Sequence, residues 1–378
     1  MQPLIPTSIL DSQNQSKRKK IAIFGSTGSI GTTTLSIVDQ YPDLFEVTAL
    51  VAGKNKDLLS KQAQKYHCKN FGLADDAVSI AKNADYDLMI AGIVGIAGLL
   101  SVCEAAKRGK QIALANKESL VCGGKILSEL IVKNKAVIYP IDSEHSAIWQ
   151  SIIGNNYNDI NSVILAASGG PFFKYSKEQL LSVTKEQALK HPKWVMGSKV
   201  TIDSSTLFNK ALEVIEAHWL FGLKSSQIEV IVHPEHIIHS MVRYVDGSVI
   251  MQAALPDMRV CIGYALGFPH SRLKSMVDHT SFASIAAFNF FEVPSDKFPA
   301  INLARAALVE SDSTAACVVL NAANEVAVEQ FLWDKIIWSQ IYPTVESIYG
   351  KFRDSRVSSI DDILELDRSI KSAALKGN

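Results

Sequence analysis

No charge of either sign predominates in this chain. Its 378 residues carry 38 Lys and Arg against 38 Asp and Glu. A surface devoted to nucleic acid needs a basic excess or stripe, so the balance argues against that partner. Cysteine is scarce as well. Cys68, Cys103, Cys122, Cys261 and Cys317 are scattered, odd in number and never arranged as CxxC. They read as reduced thiols in a reducing compartment, which predicts a cytoplasmic protein. Long apolar runs are missing: the longest, residues 88–100, is short and broken by glycine, so no membrane partner is expected. Internal repeats and low-complexity segments are missing too. Residues 1–20 lack the apolar core of a secretory signal and are too poor in arginine for a transit peptide. Residues 1–19 are therefore expected to be a disordered tail.

What remains is an ordinary soluble composition, 47% hydrophobic and 20% charged, with chain enough for two or three domains. An apolar strand over 21–24 leads into Gly25-Ser26-Thr27-Gly28-Ser29-Ile30-Gly31, and a helical pattern follows over 32–40. Strand, glycine loop and helix together suit a pyrophosphate resting on helix N–H groups. The spacing is GxxGxxG rather than GxGxxG, and a plain glycine turn would fit it also. The next strand, 45–52, ends in Gly53-Lys54-Asn55-Lys56. An enzyme that uses NAD would carry an acid there for the ribose 2′-hydroxyl; lysines and an amide suit a 2′-phosphate, hence NADPH. Strands over 88–93 and 111–115 flank a helix over 99–108, the rhythm of a doubly wound parallel sheet. Asn116-Lys117-Glu118-Ser119 follows at a strand end, either as ligand contacts or as a helix start capped by Asn116.

A strand over 135–140 runs into Ile141-Asp142-Ser143-Glu144-His145-Ser146. If the backbone stays extended, Asp142 and Glu144 aim two carboxylates at one point, which suits Mg²⁺ or Mn²⁺. A solvated turn with Ser143 or Ser146 capping the next helix fits the same residues. After a strand over 162–167, Ser168-Gly169-Gly170-Pro171-Phe172 can be a phosphate loop or an ordinary turn. Residues 191–197, His-Pro-Lys-Trp-Val-Met-Gly, have the composition of a mobile lid. A helix over 207–220 would place Asn209, Glu213 and Glu216 on one face beside Lys210, near Ser204; a salt-bridged surface helix is the bland alternative. His233, His236 and His239 are read as sheet and interface residues rather than a zinc site, with a hairpin at Asp246-Gly247. Helices over 303–308, 314–331, 336–349 and 360–375 fit a small bundle.

Three carboxylates (Asp142, Glu144, Glu213), two lysines and a dinucleotide loop suggest reduction of a phosphorylated sugar chelated to a divalent cation. The chain resembles the 1-deoxy-D-xylulose 5-phosphate reductoisomerase family from residue 20 onward. The likeness rests on GSTGSIG at 25–31, AGKN at 52–55, ANKESLV at 115–121, PIDSEHSAIWQ at 140–150 and SGGPF at 168–172. It continues in HPKWVMG at 191–197, TIDSSTLFNKALEVIEA at 201–217, IIHSMV at 237–242, DGSV at 246–249 and LNAANEVAV at 320–328.

The resemblance implies an α/β enzyme with an N-terminal Rossmann-like NADPH domain (20–142) and an α+β catalytic domain with a dimerisation sheet (143–270). A linker (271–296) and a C-terminal α-helical bundle (297–378) complete it, and the resemblance implies a homodimer. It implies rearrangement of 1-deoxy-D-xylulose 5-phosphate by retro-aldol cleavage and re-addition, then reduction by NADPH to 2-C-methyl-D-erythritol 4-phosphate, in non-mevalonate isoprenoid synthesis. Asp142, Glu144 and Glu213 match the ligands of Mg²⁺ or Mn²⁺. Lys117, Ser143, Glu144 and Glu213 match residues around the carbonyl and hydroxyl end of the substrate. Ser168, Ser204, Asn209 and Lys210 match a phosphate pocket, while His191, Trp194 and Met196 match lid contacts. Lys117, Glu144, His191 and Glu213 are the implied catalytic residues. Thr27, Gly28, Ser29, Ile30, Gly53, Lys54, Asn55, Asn116, Glu118 and Gly197 match NADPH contacts. Cys261, His236 and Phe173 depart from the family pattern and are expected to affect only packing or the dimer interface. The alternatives are another metal-assisted NADP enzyme on a different sugar phosphate, or a non-catalytic NADPH-sensing regulator.

Overall fold

A computed structural model describes residues 1–8, 17–190, 197–270, 272–274, 277, 278, 281, 283, 285 and 287–376. Strands and helices alternate through the first part of the chain. They are β1 (Lys19–Phe24), α1 (Ser29–Gln40), β2 (Phe45–Val51), α2 (Lys56–Lys65), β3 (Asn70–Gly72), α3 (Ala77–Asn83), β4 (Leu88–Ala91), α4 (Leu99–Lys107), β5 (Gln111–Leu114), α5 (Lys117–Lys133) and β6 (Val137–Pro140). The central strands are near-continuous Val, Ile, Leu and Ala, the pattern of strands covered on both faces. All pairings are parallel, in the order β3-β2-β1-β4-β5-β6. The order reverses between β1 and β4. Open α/β sheets bind ligands outside the strand ends at such a point, and the glycine loop leaves β1 there.

α6 (Ser143–Ile152) leads to β7 (Ile160–Ala167), then α7 (Lys177–Leu180), α8 (Lys185–Ala188), α9 (Ser198–Thr206), α10 (Phe208–Phe221), β8 (Ile228–Val232), β9 (Ile238–Tyr244), β10 (Val249–Ala253) and α11 (Met258–Gly267). These strands, with β11 (Phe291–Glu292), form a second sheet in the order β10-β9-β7-β8-β11. Only β7 and β8 run parallel in it. α6 packs on β9 and β10, and α10 on β7 and β8. The expected hairpin turn joins β9 to β10, where Gly247 N–H donates to Tyr244 O at 3.0 Å. The segment expected to be a linker contributes β11, which pairs antiparallel with β8.

α12 (Ala300–Val309), α13 (Ser313–Leu332), α14 (Ile341–Phe352) and α15 (Ile360–Lys376) are the helices the periodicity predicts. α13 is apolar on nearly every side, so it must be surrounded; it packs against α5, α12, α14 and α15. One hydrophobic cluster runs through the parallel sheet, α10 and these helices.

Residues 1–8 and 17–19 correct the expectation of a disordered tail, while residues 9–16 lie outside the described residues. Leu4 and Ile5 are buried, and three backbone or indole hydrogen bonds tie residues 4–6 to distant elements. Lys19 belongs to β1, and its ammonium donates to Leu266 O at 2.8 Å and Phe268 O at 2.9 Å. Burial lowers its pKa to about 8. At Leu4 and Ile5, contacts offered by elements more than a hundred residues away outweigh the polar composition around them.

Candidate active site

The backbone at 141–146 is not extended. The helix starts immediately: Asp142 is the N-cap of α6, and Ser143 and Glu144 lie in its first turn. The N-cap is Asp142, which makes no side-chain cap bond, rather than Ser143 or Ser146, and the carboxylates of Asp142 and Glu144 stand together at a helix start instead of along extended backbone. α10 supplies the rest. Leu207, at φ 60, turns the chain sharply between α9 and α10, so Ser204 and Asn209 face one cavity. Asp142, Glu144 and Glu213 each offer an oxygen within 4.8 Å of the others, a set that could hold a hard divalent cation.

Two lysines lie among these carboxylates. Lys117 Nζ is 2.6 Å from Asp142 Oδ2 and 3.3 Å from Glu213 Oε1, and it donates to Asn209 Oδ1 at 3.0 Å. Lys210 Nζ donates to Glu144 Oε1 at 2.7 Å, Glu213 Oε2 at 2.5 Å and Ala166 O at 2.7 Å. Ser143 Oγ donates to Glu144 Oε2 at 2.5 Å. Burial works to lower the pKa of Lys117, but Asp142, Glu213 and Glu216 outweigh it, and the ammonium stays charged well above its usual range. Burial pushes against ionisation of Glu144, yet Lys210 and His236 hold it well below the usual carboxylate range. Glu213 goes the other way, to about 7, because burial and the neighbouring Glu144 charge exceed the help from Lys210 and Lys117. Two carboxylates sharing one lysine cannot both be fully compensated.

A cavity of about 260 Å³ joins this cluster to the parallel sheet. Ser29 and Ile30 line its far side, with Gly92 to Val94 at the end of β4 and Asn116, Lys117 and Glu118 at the start of α5. At the glycine loop a Cβ on Gly31 would stand 2.4 Å from Gly25 O, so only glycine permits the tight turn. Gly28 caps α1 without a side-chain bond, and no acid stands in the first turn. The helix start is thus open to an anion. Thr27 lies in the same turn. Gly53, Lys54 and Asn55 are exposed at the end of β2, and Asn55 Oδ1 also accepts from Leu58 N at 3.1 Å as the cap of α2. Asn116 caps α5 through Ser119 N at 2.9 Å and donates to Gly95 O at 2.9 Å.

Family models match along the chain: "1-deoxy-D-xylulose 5-phosphate reductoisomerase" at residues 21–79 and 69–124, its C-terminal domain at 138–221, and "DXP reductoisomerase C-terminal domain" at 253–373. The reductoisomerase of Geotalea uraniireducens is 42% identical over 373 residues, covering 93% of this chain and 96% of that protein. The chain belongs to the 1-deoxy-D-xylulose 5-phosphate reductoisomerase family. The family's protein from Chlorobaculum tepidum is 41% identical over 379 residues, covering 94% of this chain and 98% of that protein. Among solved reductoisomerases, a complex with NADPH, fosmidomycin and magnesium superposes with a TM-score of 0.88 at 35% identity, covering 95% of this chain and 98% of that one. The Zymomonas mobilis reductoisomerase with NADPH gives 0.88 at 34% identity, with the same coverage.

Of the site residues the resemblance implies, Ser143, Ser168, Ser204, Asn209, Lys210 and Gly197 also line the central cavity. His191, Trp194 and Met196 lie outside the described residues. His236 corrects an expectation: it lines the cavity rather than bearing only on packing or an interface. Cys261 is buried, and Phe173 packs on Phe291 with ring centroids 5.6 Å apart.

Sequence reasoning noticed Glu216 but gave it no role, and passed over His145. Both are fully buried behind the carboxylates. His145 Nδ1 is 3.4 Å from Glu216 Oε2, and its Nε2 lies 3.0 Å from Glu213 O. The i, i+3 spacing of Glu213 and Glu216 was the available signal. Lys199, also passed over, lies 2.7 Å from Asp203 Oδ2 and 3.6 Å from Glu118 Oε1.

Proposed function

We propose that this chain is a reductoisomerase that converts 1-deoxy-D-xylulose 5-phosphate to 2-C-methyl-D-erythritol 4-phosphate, using NADPH and Mg²⁺ or Mn²⁺. The observation that carries the reading is one cavity with a dinucleotide loop on one side and three clustered carboxylates with two charged lysines on the other.

The residues present fit both groups. Asp142, Glu144 and Glu213 are all-oxygen donors suited to a hard cation, and the open start of α1 with Gly28, Ser29 and Ile30 suits a pyrophosphate. When bound, the cation supplies Lewis acidity to neighbouring substrate oxygens and NADPH supplies hydride. Lys117, charged and held among Asp142, Asn209 and Glu213, is placed to donate to a substrate oxygen as charge develops there. Glu213 is raised to about 7 in the metal-free site by burial and the Glu144 charge, and a bound cation would hold it as the carboxylate. Ser168, Ser204, Asn209 and Lys210 bind the phosphate, and Ser143 and Glu144 orient the hydroxyls. Lys54 and Asn55, exposed beyond β2 with no acid between them, read the 2′-phosphate. Thr27, Gly53, Asn116, Glu118 and Gly197 complete the cofactor contacts, and His191, Trp194 and Met196 close over the substrate.

The division into a cofactor domain (20–142), a catalytic domain (143–270) and a helical domain (297–378) follows this assignment. The exposed edge of β10 supports a homodimer. Five buried free thiols support a cytoplasmic location; no helix among the described residues is long and apolar enough to cross a membrane. The test is NADPH oxidation with 1-deoxy-D-xylulose 5-phosphate, with and without Mg²⁺ or Mn²⁺ and again with NADH. Metal-dependent oxidation, weak with NADH, is expected; none by folded, NADPH-binding protein would reject the substrate.

A further inference from the structure

The three carboxylates stand on two elements: Asp142 and Glu144 at the β6–α6 junction, and Glu213 on α10. What fixes this junction relative to α10 is therefore what fixes the cluster. The first six residues of the chain contact each of these parts. Ile138 N, on the unpaired side of the edge strand β6, donates to Leu4 O at 3.0 Å. Leu4 N donates to Leu220 O at 2.9 Å, in the last turn of α10, where helix carbonyls have no partner within the helix. Trp149, on α6, donates its Nε1 to Pro6 O at 3.0 Å. Leu4 and Ile5 are buried in the main hydrophobic cluster. Gly222, just beyond α10, lies so close to the chain terminus that a Cβ there would stand 2.6 Å from Met1 O. Three hydrogen bonds and two buried apolar side chains thus join the edge of the parallel sheet, α6 and the end of α10. None of residues 1–6 lines the cavity.

We propose that residues 1–6 are an intramolecular strap that positions the β6–α6 junction against α10, holding Asp142 and Glu144 opposite Glu213 for the divalent cation. The proposal rests on the metal-site reading above. The strap's three hydrogen bonds go to β6, α6 and α10 and none to the β1–α1 loop or β2, so its loss weakens metal binding and leaves NADPH binding intact. General destabilisation would move both.

The test uses the full chain with Leu4→Asp and Ile5→Asp, which places two charges where apolar side chains are buried. Mn²⁺ affinity is read by electron paramagnetic resonance and NADPH affinity by fluorescence, below the melting temperature of the variant. The expected result is a loss of Mn²⁺ affinity of about tenfold or more, the scale seen when groups supporting metal ligands are removed. NADPH affinity should stay within about twofold of wild type, a difference of under ~0.5 kcal/mol. A synthetic peptide of residues 1–8, but not its scrambled form, should restore Mn²⁺ affinity. Unchanged Mn²⁺ affinity, or equal losses of both ligands, would overturn the proposal. If the double-Asp chain does not fold, Leu4→Ala with Ile5→Ala is measured in the same way and decides by the same criteria. Glu213→Gln separates the two readings. If that variant binds Mn²⁺ as tightly as wild type, the metal site itself is wrong; if it loses Mn²⁺ while the strap variants do not, only the strap is.

Discussion

At the scale of single residues, Glu213 carries the most. It is buried, and it faces Lys117, Lys210, Asn209 and the Glu144 charge. Glu213→Gln keeps the shape, but it removes one ligand charge and puts an NH2 donor where either Lys210 or Lys117 and Asn209 now donate. It should leave NADPH binding unchanged and reduce metal-dependent turnover by ~100-fold or more. Wild-type turnover in that variant would reject the metal assignment. The same substitution isolates a pH effect. The Glu213 pKa rises from the ordinary 4.5 to about 7 on folding, first through burial. Between these values the folded chain holds a proton that the unfolded chain has lost. The associated stability is complete below the unfolded value and is lost as pH rises through the folded one. Glu213→Gln lacks this slope. Without metal, its stability relative to wild type should rise between about pH 5 and about pH 8, by on the order of 2–3 kcal/mol. Parallel pH curves from thermal melts would show that Glu213 is already ionised at the lower pH. Lys54 permits a cleaner test of cofactor choice. It is exposed, so Lys54→Glu should leave the melting temperature unchanged while lowering the NADPH to NADH preference by about tenfold or more. An unchanged ratio of kcat/KM values would place the 2′-phosphate elsewhere.

At the scale of elements, the start of α1 shows why the cofactor side was readable. Gly31 is pressed against Gly25 O and the Ser26 backbone, so any side chain must push the turn open. Gly31→Ala should cost about 2 kcal/mol or more of stability and weaken NADPH binding more than Mn²⁺ binding. Equal losses by calorimetry would mean that the loop serves only the fold. Local necessity of this kind leaves a mark in sequence, as do the alternation of apolar strands with amphipathic helices and the helical spacing of Asn209, Glu213 and Glu216. The start of α6 differs from the extended reading because only Ile141 and Asp142 separate β6 from the helix, so a period of 2 runs on into the first helical turn. His145 and Glu216 gave little warning, since a buried pair behind a site and a solvated helix face use the same residue types. Leu4 and Ile5 gave less: two apolar residues in a polar segment have no period, and their burial is decided by β6 and the far end of α10.

At the scale of the whole molecule, the second sheet has an edge that needs covering. β10 is the terminal strand of that sheet, and Val249, Ile250 and Met251 are exposed on it in succession. An edge strand with free backbone groups and contiguous apolar side chains is a template for pairing. Proteins that stay monomeric blunt such edges with charge, proline or a bulge; none of these three residues is charged or proline, and the register shift in β10 comes after them, between Gln252 and Ala253. In a two-fold pairing the same residues approach each other across the axis, so one new charge per chain meets its own copy. Ile250→Asp should therefore convert a dimer to a monomer in sedimentation velocity. NADPH binding should be retained, because the β1–α1 loop and β2 belong to the other sheet. If Ile250→Asp still sediments as a dimer, β10 is not the contact. If wild type sediments as a monomer at micromolar concentration, this edge needs a different account.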